Sequence, residues 1–212
     1  MPSVIAALPS LAEQAELLID LDVHRLGGLT ADVLRSIPDT AGSLLVVHPS
    51  LVPASALARM LRLDEKPGFV VTDMADIDEF TPISSVTLPD APLYLVRDVD
   101  RGDAMANWSP DEALPAITEA GRTPLTLTEG LHWVLQQPEV LARGHCFMTI
   151  ASRRHKPGVA LDARTPAVWI SNGTGRDGPA NRNAPKVGWC WAGNRHTWLG
   201  FASASGRFTI DR

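Results

Sequence analysis

Four side chains in the last third of the chain, Cys146, His155, Cys190 and His196, are of the types that hold zinc. Thiolate sulfur and imidazole nitrogen both suit that cation. Their spacing is loose: eight residues separate Cys146 from His155, and five separate Cys190 from His196. The close pairing that makes a zinc motif specific is missing. The same residues offer a second chemistry, with Cys190 as a nucleophile or His196 as a general base. A nucleophile–base pair needs both groups within hydrogen-bond reach. The segment Gly188-Trp-Cys-Trp-Ala-Gly-Asn-Arg-His-Thr-Trp-Leu-Gly200 reads as a hairpin turning at Gly193-Asn194. In that register Trp191 faces His196, Trp189 faces Trp198, and Cys190 falls on the opposite face beside Thr197. The pattern separates the thiol from the imidazole and groups Trp189, Trp191, His196 and Trp198. Such a face is either the middle of a sheet buried on both sides or the wall of a pocket. In a pocket, indoles supply flat apolar surface, and Asn194, Arg195 and His196 supply directional contacts. For Cys146 and Cys190 the plain reading is a small buried hydrophobe.

Other groups belong beside this segment or compete with it. The run Ser152-Arg153-Arg154-His155-Lys156 follows one strand and Trp169 lies on the next. If they adjoin the aromatic face, Arg153 and Arg154 recognise a carboxylate or phosphate through paired N–H groups; otherwise the run is a solvated turn. Gly173-Thr-Gly175-Arg-Asp-Gly178 has dinucleotide-fingerprint spacing, but Pro179 and Pro185 deny it the helix that must receive the pyrophosphate. What remains is a loop whose Arg176 and Arg182 could close over an anion. Asp98-Val-Asp100 follows an apolar strand, as paired cation-binding carboxylates do, yet Gly102 sits where a further ligand is needed. A strand end running into a polar turn is the simpler reading. His132 is expected to be a partly exposed surface histidine.

The elements that must position these groups are legible from caps and periodicity. Ser10 and Glu13 form a capping box before a helix over about 11–23. Thr30 caps a short helix to Ile37. Two strands, 43–48 and 68–72, flank a helix from Pro53 to Leu61 and suggest a short βαβ unit. A strand follows at Leu93–Val96. Ser109-Pro110-Asp111-Glu112 starts a helix to about Ala120, and Thr126 caps another to Gln136. Strands are then expected at 146–151, 166–171, 187–191, 196–203 and 207–210. A mixed first part followed by a run of strands is an α+β pattern, with helices covering a mostly antiparallel C-terminal sheet.

Composition sets the outer bounds. The chain has 212 residues, 45% of them hydrophobic, which suits one large soluble domain over 1–212. No run approaches the ~20 apolar residues of a membrane span. Met1 to Ile5 shows no basic segment ahead of an apolar one, so no signal peptide is expected. Two cysteines make no disulfide framework, and a cytoplasmic location follows. The net charge of -5 argues against a nucleic-acid partner. Residues 143–212 hold 11 of the 19 basic residues and 3 of the 24 acidic ones, a surplus of eight positive charges. An acidic part, 1–142, thus precedes a basic, β-rich part, 143–212. Either the two pack against each other, or the basic part meets an anionic ligand.

From Leu93 to Arg207 the chain resembles an uncharacterised family of proteins from high-GC actinobacteria. The residues that carry the resemblance are Gly121-Arg122-Thr-Pro-Leu-Thr126, Thr128-Glu129-Gly130, Pro166-Ala-Val-Trp-Ile-Ser171 and the Trp-rich block from Gly188 to Gly200. Asp98-Val-Asp100-Arg-Gly102 fits it as well. The resemblance implies an actinobacterial, cytoplasmic protein with one family-wide domain, and brings no reaction, ligand or catalytic residue. Against it, the Asn181–Pro185 region is long. The leading expectation is a pocket for a small anionic or aromatic metabolite or peptide, in an accessory, resistance or regulatory protein. Its contacts would be Arg153, Arg154, Trp169, Trp189, Trp191, Asn194, Arg195, His196 and Trp198, with no cofactor. The alternatives are an enzyme using His196 or Cys190 in that cleft, and a zinc-stabilised interaction protein.

Overall fold

Three capping boxes start the longest helices. Ser10 with Glu13 opens α1 (Leu11–Asp20), Ser109 with Glu112 opens α5 (Pro110–Glu119), and Thr126 with Glu129 opens α6 (Leu127–Gln136). In each, the hydroxyl accepts from the third helical N–H and the carboxylate accepts from the cap N–H, so two orphan donors are satisfied. Shorter helices are α2 (Val23–Leu26), α3 (Ala31–Arg35) and α4 (Ala54–Met60). The computed structural model describes residues 7–156, 158 and 161–210, so the Met1–Ile5 stretch read for a leader lies outside the described residues. No described helix is long and apolar enough to cross a membrane.

The α+β architecture is as expected, and its strands form two main sheets. In the first, β1 (Ser43–Val47), β3 (Leu93–Arg97) and β8 (Gly206–Thr209) pair antiparallel with β3 at the centre. The second runs in the order β7 (Leu199–Phe201), β4 (Cys146–Met148), β5 (Arg164–Ile170), β6 (Pro185–Trp191), β2 (Phe69–Val70). It is antiparallel at its centre, around β5, and parallel at its two outer pairings.

The expected βαβ unit does not form, because β1 and β2 lie in different sheets. The free edge of β1 explains this. Gln14 Oε1 accepts from Leu45 N–H and Gln14 Nε2 donates to Ser43 O, both at 2.8 Å. Gln136 Nε2 donates to Leu45 O at 2.8 Å, and His132 Nε2 accepts from Val47 N–H at 3.2 Å. Helix side chains take the place of a neighbouring strand and satisfy four backbone groups on that edge, Ser43 O, Leu45 N–H, Leu45 O and Val47 N–H. β2 has no edge of β1 to join.

This edge also corrects the reading of His132, which is wholly buried rather than partly exposed. All ten residues of α6 are buried, as befits a helix enclosed on every side. One side meets β1; the other rests on the second sheet. Gly130 makes that contact possible, since a Cβ there would lie 2.5 Å from Thr149 Cγ2. Trp133 packs on Phe147 with ring centroids 5.7 Å apart. The opposite face of the second sheet is covered by Ala113 and Ile117 of α5, which join Met148, Ala167 and Phe201 in a separate apolar cluster.

Part of the charge asymmetry is met internally. Arg164 and Arg154 pair with Asp76, Arg176 with Asp73, and Arg195 with Glu112, so arginines of the basic part meet carboxylates of the acidic part. The most buried pair is Glu129 with Arg207, exposed by 0% and 6%. Arg207 Nε and Nη2 donate to its two oxygens at 2.6 and 2.7 Å, and Tyr94 Oη donates at 3.1 Å. Burial and the adjacent Glu129 charge push the Tyr94 phenol well above its usual range.

Candidate functional site

The Trp-rich block is not a hairpin. β6 pairs with β5 from Arg164↔Trp191 to Ile170↔Pro185, and its other edge takes β2. β2 covers only Lys186 and Val187 of that edge, and β7 lies instead beside β4, with Leu199 opposite Cys146. Residues 192–198 therefore cross the sheet from β6 to β7, passing β5 and β4. The crossing runs on the α5 face, because Asp111 N–H donates to Ala192 O and Asn107 N–H to His196 O.

A cleft of about 420 Å³ lies between this crossing and the sheet. That volume is within the range of small-molecule sites. Register explains its floor. On the α5 face β5 presents Ala167 and Trp169, β4 presents Cys146, and β6 presents Gly188 and Cys190. Gly188 makes room for Trp169, whose Cη2 would lie 2.7 Å from a Cβ at that position. Lys186, on the same face, places its Nζ 4.7 Å from the Trp169 ring centroid while pairing with Asp177. The crossing supplies the far wall: His196 and Trp198 stack with centroids 4.5 Å apart and planes 16° from parallel. His145 and Asn172 complete the rim.

The grouping drawn from the hairpin register is therefore corrected. Trp189 and Trp191 form an edge-on pair, 4.5 Å between centroids, and Trp191 stands outside the cleft. Trp169, Trp189, His196 and Trp198 line it. Cys190 and His196, placed on opposite faces by that register, line the same cleft, as does Cys146. The arginines lie elsewhere. Arg153 donates to Asp162 O through Nε and Nη2, at 2.9 and 2.5 Å. Arg154 is held by Asp76 and Glu79, each at 2.7 Å, and Arg195 by Glu112. Asn194 is exposed.

Burial pushes the Cys146 and Cys190 thiols up, so both stay protonated at neutral pH, and neither is a ready nucleophile. Of the four residues considered for zinc, His155 is exposed and outside the cleft. Among the described residues no three His, Cys, Asp or Glu side chains gather as a metal-binding group. The Gly173–Gly178 run holds one single-turn helix, Gly175–Asp177, and a second, Pro179–Asn181, follows it, rather than the long helix a dinucleotide needs. There Arg176 binds Asp73 and Arg182 is exposed. Asp98 and Asp100 are committed to other groups: Asp98 Oδ2 accepts from Arg122 at 2.6 Å, Asp100 Oδ1 accepts from Gly102 N–H at 2.6 Å, and the Asp100 backbone bridges to Ser203. Sequence reasoning missed His145 and Asn172. Their only signal was position, each beside an end of a strand that the aromatic segment was expected to join.

No curated protein and no solved structure matches the chain. Residues 13–210 match a family of unknown function, DUF5701, and the chain belongs to that family.

Proposed function

We propose that this protein binds a small, flat, uncharged heteroaromatic ligand in the cleft beneath residues 192–198. The observation that carries the reading is the lining. Two indoles, Trp169 and Trp198, and the His196 imidazole offer ring faces, and no Asp, Glu, Lys or Arg is among the described lining residues. Ring faces favour offset or edge-on contact with another ring. The imidazoles of His145 and His196 and the Asn172 amide add a few directional hydrogen bonds, the composition typical of a ligand pocket. The arginines expected to hold an anion are each committed to a partner outside the cleft, which narrows the ligand from anionic or aromatic to neutral and aromatic. The proposal keeps the actinobacterial, cytoplasmic setting implied by the sequence resemblance, and a role as an accessory, resistance or regulatory protein.

Thermal-shift titration with indole, adenine, riboflavin, nicotinamide and nicotinate tests it. A stabilisation by neutral rings, larger for nicotinamide than for nicotinate and lost in Trp198→Ala, is expected. Equal shifts in wild type and Trp198→Ala across the set refute the assignment.

A further inference from the structure

The segment that roofs the cleft is held by few contacts. Among residues 192–198 only Ala192 is buried; Gly193, Asn194, Arg195, Thr197 and Trp198 are exposed. A segment with so little buried apolar surface opens at low free-energy cost. Its attachments are mostly to one place, the start of α5. Asp111 N–H donates to Ala192 O at 3.1 Å, Asn107 N–H donates to His196 O at 2.9 Å, and Arg195 pairs with Glu112. The ends are tied to the sheet, Ala192 N–H to Ala163 O at 2.8 Å and Cys146 N–H to Trp198 O at 2.8 Å. Between these end ties the middle, which carries His196, is held through the Asn107 and Glu112 contacts.

Glu112 has two tasks. Its Oε2 accepts from Ser109 N–H and Oγ, both at 2.9 Å, which completes the capping box of α5, while its Oε1 takes the Arg195 guanidinium. The helix cap and the roof of the cleft are thus joined through one carboxylate. We propose that residues 192–198 are a hinged strap over the cleft, and that the Glu112–Arg195 pair is the latch that sets how often it opens. The proposal rests on the cleft being a ligand site, and gives that site a regulated entrance. Arg195 is then a positioning residue that holds the strap, rather than a ligand contact.

The two cleft thiols report opening without any ligand. Modification of Cys146 and Cys190 by N-ethylmaleimide, resolved by peptide mass spectrometry, measures access at each. Glu112→Gln keeps an acceptor for the Ser109 cap, since Gln also completes a capping box, but removes the charge. Arg195→Ala removes the other half of the latch. Each variant is expected to speed thiol modification by about two- to fivefold, the range an exposed ion pair supplies. The double variant should be no faster than either single one. High salt should speed the wild type alone, and Arg195→Lys should return the rate toward wild type. Hydrogen exchange at the Asn107 and Asp111 amides should accelerate in step. Unchanged rates at both thiols, or additive effects in the double variant, overturn the latch. Either result leaves the thermal-shift test of ring binding standing, and a failure of ring binding leaves the strap measurable.

Discussion

Acidification should destabilise this protein through His132, and the size of the effect follows from the geometry. Nε2 of His132 accepts from Val47 N–H at 3.2 Å, and Nδ1 lies 2.9 Å from Thr128 O, to which it donates. The folded ring therefore needs a lone pair on Nε2. A second proton would set two donors against each other on the sealed edge of β1. Burial dominates, with the Thr128 carbonyl and the Glu129 charge opposing it, and the imidazole is lowered to about 4. An unfolded histidine titrates near about 6.5. The unfolded chain thus binds the proton first. The contribution is present above about pH 6.5 and is lost as pH falls toward 4. Between about pH 7 and about pH 5 the loss is about 2 kcal/mol, with a slope near 1.4 kcal/mol per pH unit in the middle of the window. Urea unfolding of the wild type and His132→Gln at both pH values isolates this contribution, because the shared titrations cancel in the comparison. Gln retains an acceptor for Val47 but does not titrate. The reasoning is refuted if both proteins lose the same stability between the two pH values.

Three further outcomes follow from the same structure. Arg207→Met should cost about 3–5 kcal/mol in urea unfolding, because it leaves the buried Glu129 carboxylate uncompensated; a loss under about 1 kcal/mol would show that water reaches it. Gly188→Ala should cost about 1–3 kcal/mol, since the new Cβ meets Trp169 Cη2 at 2.7 Å and Val71 Cγ1 at 3.1 Å. It should also weaken the thermal response to neutral rings, because Trp169 must move; an unaltered response would place the ligand away from the floor. Trp191→Ala should leave that response intact in the titration that Trp198→Ala abolishes, since Trp191 stands outside the cleft.

The local elements were legible in the sequence because their signals are local. Ser10, Ser109 and Thr126 cap helices where a hydroxyl precedes a glutamate by three positions. The apolar runs at 43–47 and 93–97 became strands for the same reason. Pairing was not legible, because the edge a strand chooses depends on which edges are already taken. Gly193-Asn194 carries a two-residue turn signal, yet β7 pairs with β4 rather than folding back on β6, so the chain runs on and crosses the sheet. That single fact regroups the candidate site, parting Trp191 from Trp198 and bringing Cys190 to the cleft with His196. His132 was misread because its partner is backbone 85 residues away in sequence. The charge asymmetry pointed first to internal pairing and second to an anionic ligand, and the arginine partners favour the first.

The central claim is that a flat ring occupies the cleft under the strap. Its most direct test is the modification rate of Cys146 and Cys190 at saturation with whichever ring compound gives the largest thermal shift. Occupancy of the cleft predicts a fall of about tenfold or more at both thiols, reversed by Trp198→Ala. Thiol rates that stay unchanged in the saturated protein would place the ligand elsewhere and contradict the account.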